Sequence, residues 1–190
     1  MKEGARRGIV AVVSGPSGVG KTTVVDRLLA RPGYARSITA TTRAPRGEEA
    51  DGVHYLFLAR AKFEEGLKAG RFLEHATVYG NLYGTPREGV EAVLDRGDIC
   101  LLNIDVQGAE ALRGSGLPVV TIFILPPSME ELERRLVSRG TEAEDTARRR
   151  FEVAKKEVAE ADRFDCRVVN RTVEATVDEI DGYIQARRGA

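Results

Sequence analysis

The residues best suited to chemistry stand in one short segment. Gly15-Pro16-Ser17-Gly18-Val19-Gly20-Lys21-Thr22 fits the pattern G-x-x-x-x-G-K-[ST] at every fixed position. Glycines at this spacing let successive backbone N–H groups curl into a concave anion site, and the positive end of a following helix points at the same spot. Lys21 is placed to reach β- and γ-phosphates, and the Thr22 hydroxyl is a ligand for Mg²⁺. In a chain of average composition such a match arises by chance on the order of once in a hundred. The pattern therefore implies a nucleoside triphosphate with Mg²⁺, while leaving motor, switch, transporter and kinase open.

A second group narrows the choice. Thr39-Ala40-Thr41-Thr42-Arg43-Ala44-Pro45-Arg46 sets two guanidinium groups three residues apart on a turn held by Pro45, and paired arginine forks suit phosphate oxygens. Tyr55 and Tyr83 add neutral hydroxyls. The two histidines, His54 and His75, stand in no catalytic pattern and read as packing residues. Cys100 and Cys166 lie in apolar runs with no Cys-x-x-Cys or Cys/His cluster, which predicts buried thiols in a reducing compartment and excludes protein-ligated zinc.

These groups need a frame. Gly8–Ser14 is a nearly continuous apolar run, as expected for a strand buried on both faces of a parallel sheet, and similar runs recur at 99–104, 119–125 and 166–169. Helical patterns at 21–30, 87–95, 128–139 (Ser128 as N-cap), 146–161 and 173–187 alternate with them. The alternation predicts an α/β fold: a doubly wound parallel sheet in a single domain over 1–190, with the core at 8–39 and 97–190. Residues about 40–96 break the rhythm. There 53–58 and 72–79 read as short antiparallel strands around a helix at 62–69, which predicts an inserted α+β lobe. With 190 residues, 42% of them hydrophobic, a full core is available. No run approaches the roughly 18 apolar residues of a membrane span, nor is there an apolar signal segment, so the expected location is the cytoplasm.

At this point the chain resembles the guanylate kinases, over essentially its whole length. The resemblance rests on Gly15–Thr22, Thr41-Thr42-Arg43-Ala44-Pro45-Arg46-Gly47-Glu48 with Gly52 and Tyr55, Phe72-Leu73-Glu74, and Gly80-Asn81-Leu82-Tyr83-Gly84-Thr85. It continues in Ile104-Asp105-Val106-Gln107-Gly108, Pro126-Pro127-Ser128, Arg139-Gly140-Thr141-Glu142 and Val168-Val169-Asn170. It implies ATP-dependent phosphorylation of GMP to GDP, with dGMP as a second substrate, and a lobe for the monophosphate plus a helical lid at about 139–151. By the same resemblance Arg43, Arg46, Tyr55 and Tyr83 would take the GMP phosphate. Thr39, Glu74, Thr85 and Asp105 would meet guanine, Arg139 and Arg150 would be lid arginines, and Asn170 would lie near adenine. Chemistry supports Glu74 separately, since guanine presents adjacent N1–H and N2–H₂ donors that one carboxylate accepts together, whereas adenine does not. Two departures stand out. Thr39 replaces the family's usual Ser, keeping the hydroxyl, and Asn103 replaces the first Asp of Asp-Ile-Asp, removing a charge near the expected Mg²⁺.

Two alternatives stay open: a P-loop kinase for another phosphorylated small molecule such as a ribose bisphosphate, or an inactive guanylate-kinase-like binding module. A GTPase switch is disfavoured because Asn-Lys-x-Asp is missing. The charge balance, 29 basic against 29 acidic, argues against a broad nucleic-acid surface. It conceals a segregation, because residues 1–47 hold nine Lys/Arg against two acids. That asymmetry points to a local anionic ligand.

Overall fold

A computed structural model describes residues 8–78, 80–138 and 144–189, apart from the side chains of 138 and 144–149. Arg139, and with it much of the expected lid, lies outside the described residues. In chain order the elements are β1 (Ile9–Ser14), α1 (Lys21–Leu29), β2 (Tyr34–Arg36), β3 (Ala40–Thr41), β4 (Leu56–Phe57), α2 (Arg60–Lys68), β5 (Phe72–Val78), β6 (Asn81–Pro86) and α3 (Arg87–Asp95). There follow β7 (Ile99–Asn103), α4 (Val106–Arg113), β8 (Val119–Leu125), α5 (Met129–Ser138), α6 (Glu144–Ala159), β9 (Cys166–Val169) and α7 (Val173–Arg188).

The central sheet is parallel, in the order β2-β7-β1-β8-β9. All six residues of β1 are buried, as its unbroken apolar run requires. Alternate side chains serve opposite faces. Ile9, Ala11 and Val13 pack with Leu28 of α1, Leu132 of α5 and Ile180 of α7. Val10 and Val12 pack with Val90 of α3, Leu112 of α4 and Phe123. Each fully buried Val, Leu, Ile or Phe is worth about 1.5–3 kcal/mol, so the sheet is the rigid platform of the molecule. Its register sets Val13 opposite Asn103 and Ser14 opposite Phe123. The carboxyl ends of β1 and β7 therefore open at one edge, where ligands of open α/β sheets bind.

The second sheet, over residues 40–86, corrects the sequence reading. Its order is β4-β3-β6-β5, with β3 and β4 parallel and the other pairs antiparallel. The two expected strands do not pair with each other but form opposite edges. Between them lie β3 and β6, neither anticipated from the pattern. Ala40, Phe63 and Leu82 form its small core, and the Phe63 and Phe72 rings stack at 4.3 Å. Among the described residues no helix is long and apolar enough to cross a membrane. Cys100 is buried as expected, whereas Cys166 is only partly so; both are free thiols.

Candidate active site

The phosphate loop joins β1 to α1, and its shape depends on glycine at two positions. Gly15 has φ +146°, and a Cβ there would stand 2.5 Å from the Ile124 carbonyl oxygen. Gly20 has φ +100° and precedes α1 directly, with the Asn170 amide nitrogen 2.7 Å from where a Cβ would be. Lys21 folds back over the loop, its Nζ donating to the carbonyls of Gly15 (2.5 Å) and Pro16 (3.0 Å). Burial lowers the pKa of this ammonium below the usual lysine value, against the opposing pull of Glu157 and Asp105.

Asn170 follows β9 and is 4% exposed. Its amide nitrogen donates to the Val19 carbonyl at 2.8 Å, and its amide oxygen accepts from the Thr176 hydroxyl at 3.1 Å. The side chain thus braces the loop from behind instead of turning its amide outward to a base. From the other side, α6 reaches Ser17 twice: Arg150 Nη2 donates to Ser17 Oγ at 2.7 Å, and the Ser17 amide donates to Glu157 Oε2 at 3.4 Å.

The arginine turn is built around an acid the sequence reading passed over. Glu49 accepts both ends of the Arg43 fork, at 2.8 and 2.9 Å, and the Arg46 amide at 2.7 Å. Arg43 Nε donates to the Tyr83 hydroxyl at 3.2 Å, and the guanidinium carbon lies 5.3 Å from the Tyr55 ring centroid. Arg43, Tyr55 and Tyr83 are therefore gathered in one place, whereas Arg46 is exposed and contributes its backbone to the turn. The only sequence signal for Glu49 is an acid three residues beyond a paired arginine.

Glu74 and Thr85 face each other across β5 and β6, and the Thr85 hydroxyl donates to Glu74 Oε1 at 2.5 Å. Burial raises the Glu74 pKa above the ordinary carboxylate value, and Asp105 adds to the rise while Thr85 opposes it. Asp105 caps α4, its Oδ1 accepting from the Gly108 amide at 2.8 Å, a structural task the sequence did not reveal. The histidines are not packing residues: both are exposed, and His54 Nδ1 accepts from the Ala50 amide at 3.0 Å.

One cavity of about 310 Å³ joins the two halves, lined by Thr22 from α1, Asn103 at the end of β7, Thr39 and Tyr55 just before β3 and β4, and Thr85 of β6. The cleft is thus shared by Thr22, the last residue of the glycine loop pattern, and Thr85, whose hydroxyl donates to the half-buried Glu74.

Comparison with known proteins decides the family. The family model for guanylate kinase matches residues 7–187. The chain belongs to the guanylate kinase family. It is 49% identical over 176 residues to a guanylate kinase of Rubrobacter xylanophilus, covering 92% of each chain. It is 47% identical over 174 residues to guanylate kinase 1 of Oryza sativa, covering 89% of this chain but only 46%, about half, of that protein. The crystal structure of guanylate kinase from Anaplasma phagocytophilum superposes with a TM-score of 0.74 at 36% identity, covering 96% of this chain and 87% of that one.

The family implies a metal ion alongside ATP, and the donors present fit one delivered with the nucleotide. Thr22 and Asn103 offer neutral oxygens on the same cleft, and among the described residues no three acids, histidines or cysteines gather into a cage. Mg²⁺ characteristically binds in this way, through substrate phosphates and retained waters with few protein ligands.

Proposed function

We propose that this chain transfers the γ-phosphoryl group of ATP to GMP, and to dGMP, releasing ADP with GDP or dGDP, in the cytoplasm. The observation that carries the proposal is the shared cleft. Thr22 of the phosphate loop and Thr85, whose hydroxyl is held on Glu74, line one cavity. A base read by Glu74 and a triphosphate on the loop would therefore meet within a single site.

The nucleophile is a phosphate oxygen of the monophosphate, already mostly dianionic at neutral pH because its second pKa is about 6. No general base is required, consistent with two histidines exposed outside the cleft. What the protein must do is align two polyanions and offset their repulsion. Lys21 serves the triphosphate, and Arg43, oriented by Glu49 and Tyr83, serves the monophosphate with Arg46, Tyr55 and Tyr83. Arg150, already on Ser17, is placed beside the transferring group, and Arg139 completes the same reading. Thr22 would hold a Mg²⁺ ion delivered with ATP, Asn103 would offer it a neutral oxygen, and the ion would supply further positive charge on the phosphates. Residues of about 40–96 act as the monophosphate lobe and those of about 139–151 as the lid.

Base choice falls to Glu74. With Oε1 engaged by Thr85, Oε2 keeps its acceptor capacity for guanine N1–H and N2–H₂. Adenine would leave this buried acceptor unpaired, at a cost of about 1–3 kcal/mol. A coupled ADP-release assay of ATP-Mg²⁺ with GMP, dGMP, AMP, UMP and a ribose bisphosphate tests the proposal. Preference for guanine monophosphates supports it; equal or greater turnover with the ribose bisphosphate overturns it.

A further inference from the structure

Helix α6 presents two charged side chains to one residue of the phosphate loop. Arg150 and Glu157 are seven residues apart, two helical turns, and so lie on the same face. Ala154 between them is fully buried, so this face is seated on the core. Arg150 takes the Ser17 hydroxyl and Glu157 takes the Ser17 amide. The amide contact matters most, because Ser17 N–H belongs to the loop whose amides make the anion site. A carboxylate oxygen on that donor competes with any acceptor oxygen the loop would receive there.

The charges around Glu157 reinforce this geometry. Lys21 faces it from α1, Asp105 from the turn before α4, and Arg150 from its own helix. Glu157 is among the groups that hold Lys21 in its charged form, yet its own carboxyl is pushed up by burial. It is a poorly solvated anion on a weak, 3.4 Å hydrogen bond. A triphosphate carries more charge and more acceptor oxygens, and like charges that close to each other repel strongly. Both cannot take the Ser17 donor together.

We propose that Glu157 is a built-in competitor for the triphosphate site: it holds the Ser17 donor until a phosphate takes it, so that triphosphate binding releases this end of α6. The helix that carries Arg150 is thereby coupled to the occupancy of the loop. This rests on reading Gly15–Thr22 as a triphosphate site, as the proposed function does, but not on GMP as the acceptor.

The test is calorimetric titration of the full chain with tripolyphosphate and with ATP-Mg²⁺. Glu157→Gln keeps the shape and removes the charge, and is expected to bind both roughly fivefold more tightly or better, the effect of losing one competing charged hydrogen bond. Glu157→Ser, which removes the competing side chain, is expected to gain similarly and guards against a misfolded first variant. Glu152→Gln, on the solvent side of the same helix and paired with Lys155, is expected to bind as the parent does, showing that a general change of charge is not responsible. Both Glu157 variants binding no more tightly than the parent, or Glu152→Gln gaining equally, overturns the proposal. A parent that binds neither probe would overturn the triphosphate reading itself, whereas a parent that binds with no gain in the variants overturns only the role of Glu157.

Discussion

Replacing Glu74 by Gln exchanges one carboxylate oxygen for an amide nitrogen in a site whose geometry makes the consequence calculable. Oε1 accepts from Thr85 at 2.5 Å, and a glutamine carbonyl oxygen can keep that bond, leaving an NH₂ group where Oε2 stood. That group is a donor pointing at guanine's own donors, and the charge that strengthened the contact is gone. Losing one hydrogen bond to a charged group costs about 1.5–3 kcal/mol, which corresponds to about 10- to 150-fold in kcat/KM for GMP. IMP, which lacks the 2-amino group, should lose less, so the preference for GMP over IMP narrows. Titration of ATP should give nearly the parent Kd, since Glu74 belongs to the second sheet. The melting temperature should hold or rise, because burial already disfavours the Glu74 charge. Unchanged kcat/KM for GMP in a folded Glu74→Gln protein would refute the assignment of base recognition to this residue.

Further expectations follow from the same geometry. Guanosine, which has no phosphate to titrate, should lose affinity as pH falls through a Glu74 value raised above the ordinary 4.5, and in Glu74→Gln this acid limb should vanish; calorimetry over pH 4–7 reads both. Lys21→Met should abolish ADP formation with a native melting profile, because Lys21 is desolvated and its bonds among the described residues go to loop carbonyls; retained turnover would exclude its role. Asn170→Ala strands the Val19 carbonyl, while the Thr176 hydroxyl keeps the Thr172 carbonyl at 2.8 Å. That should cost about 1–3 kcal/mol, read as a melting point lower by several degrees and a weakened ATP Kd, with the GMP contacts untouched.

What could be read from the sequence was local. The strand, glycine loop and helix at 9–29 follow from neighbouring residues alone, as do the strands β7, β8 and β9, although β9 buries only Val168 of its four residues. Helix α4 escaped because it is only eight residues long with Gly108 inside it, and because Asp105, its N-cap, had already been assigned to a ligand. Strand β6 escaped because Gly84 and Pro86 read as turn residues. Gly84 is there for another reason: a Cβ would stand 2.9 Å from Phe63 and 3.0 Å from Phe72, a contact made by residues distant in sequence. Glu49 and Glu157 were missed in the same way. An acid near an arginine, or one two turns along a helix, has no meaning until folding brings its partner to it. Asn170 shows the converse: a motif residue that the resemblance sets near adenine also supports the loop, through the Val19 carbonyl.

The central claim is that one cleft brings a triphosphate loop and a guanine-reading carboxylate to bear on a single phosphoryl transfer. The most direct measurement is the initial rate of ADP release from ATP-Mg²⁺ with GMP, AMP and UMP in parallel, each product identified by ³¹P NMR. GDP formed from GMP, with AMP and UMP at least tenfold slower, as the loss of one buried hydrogen bond requires at about 1.4 kcal/mol per factor of ten, is the predicted result. ADP release that does not depend on GMP, or equal rates with AMP, would contradict the account.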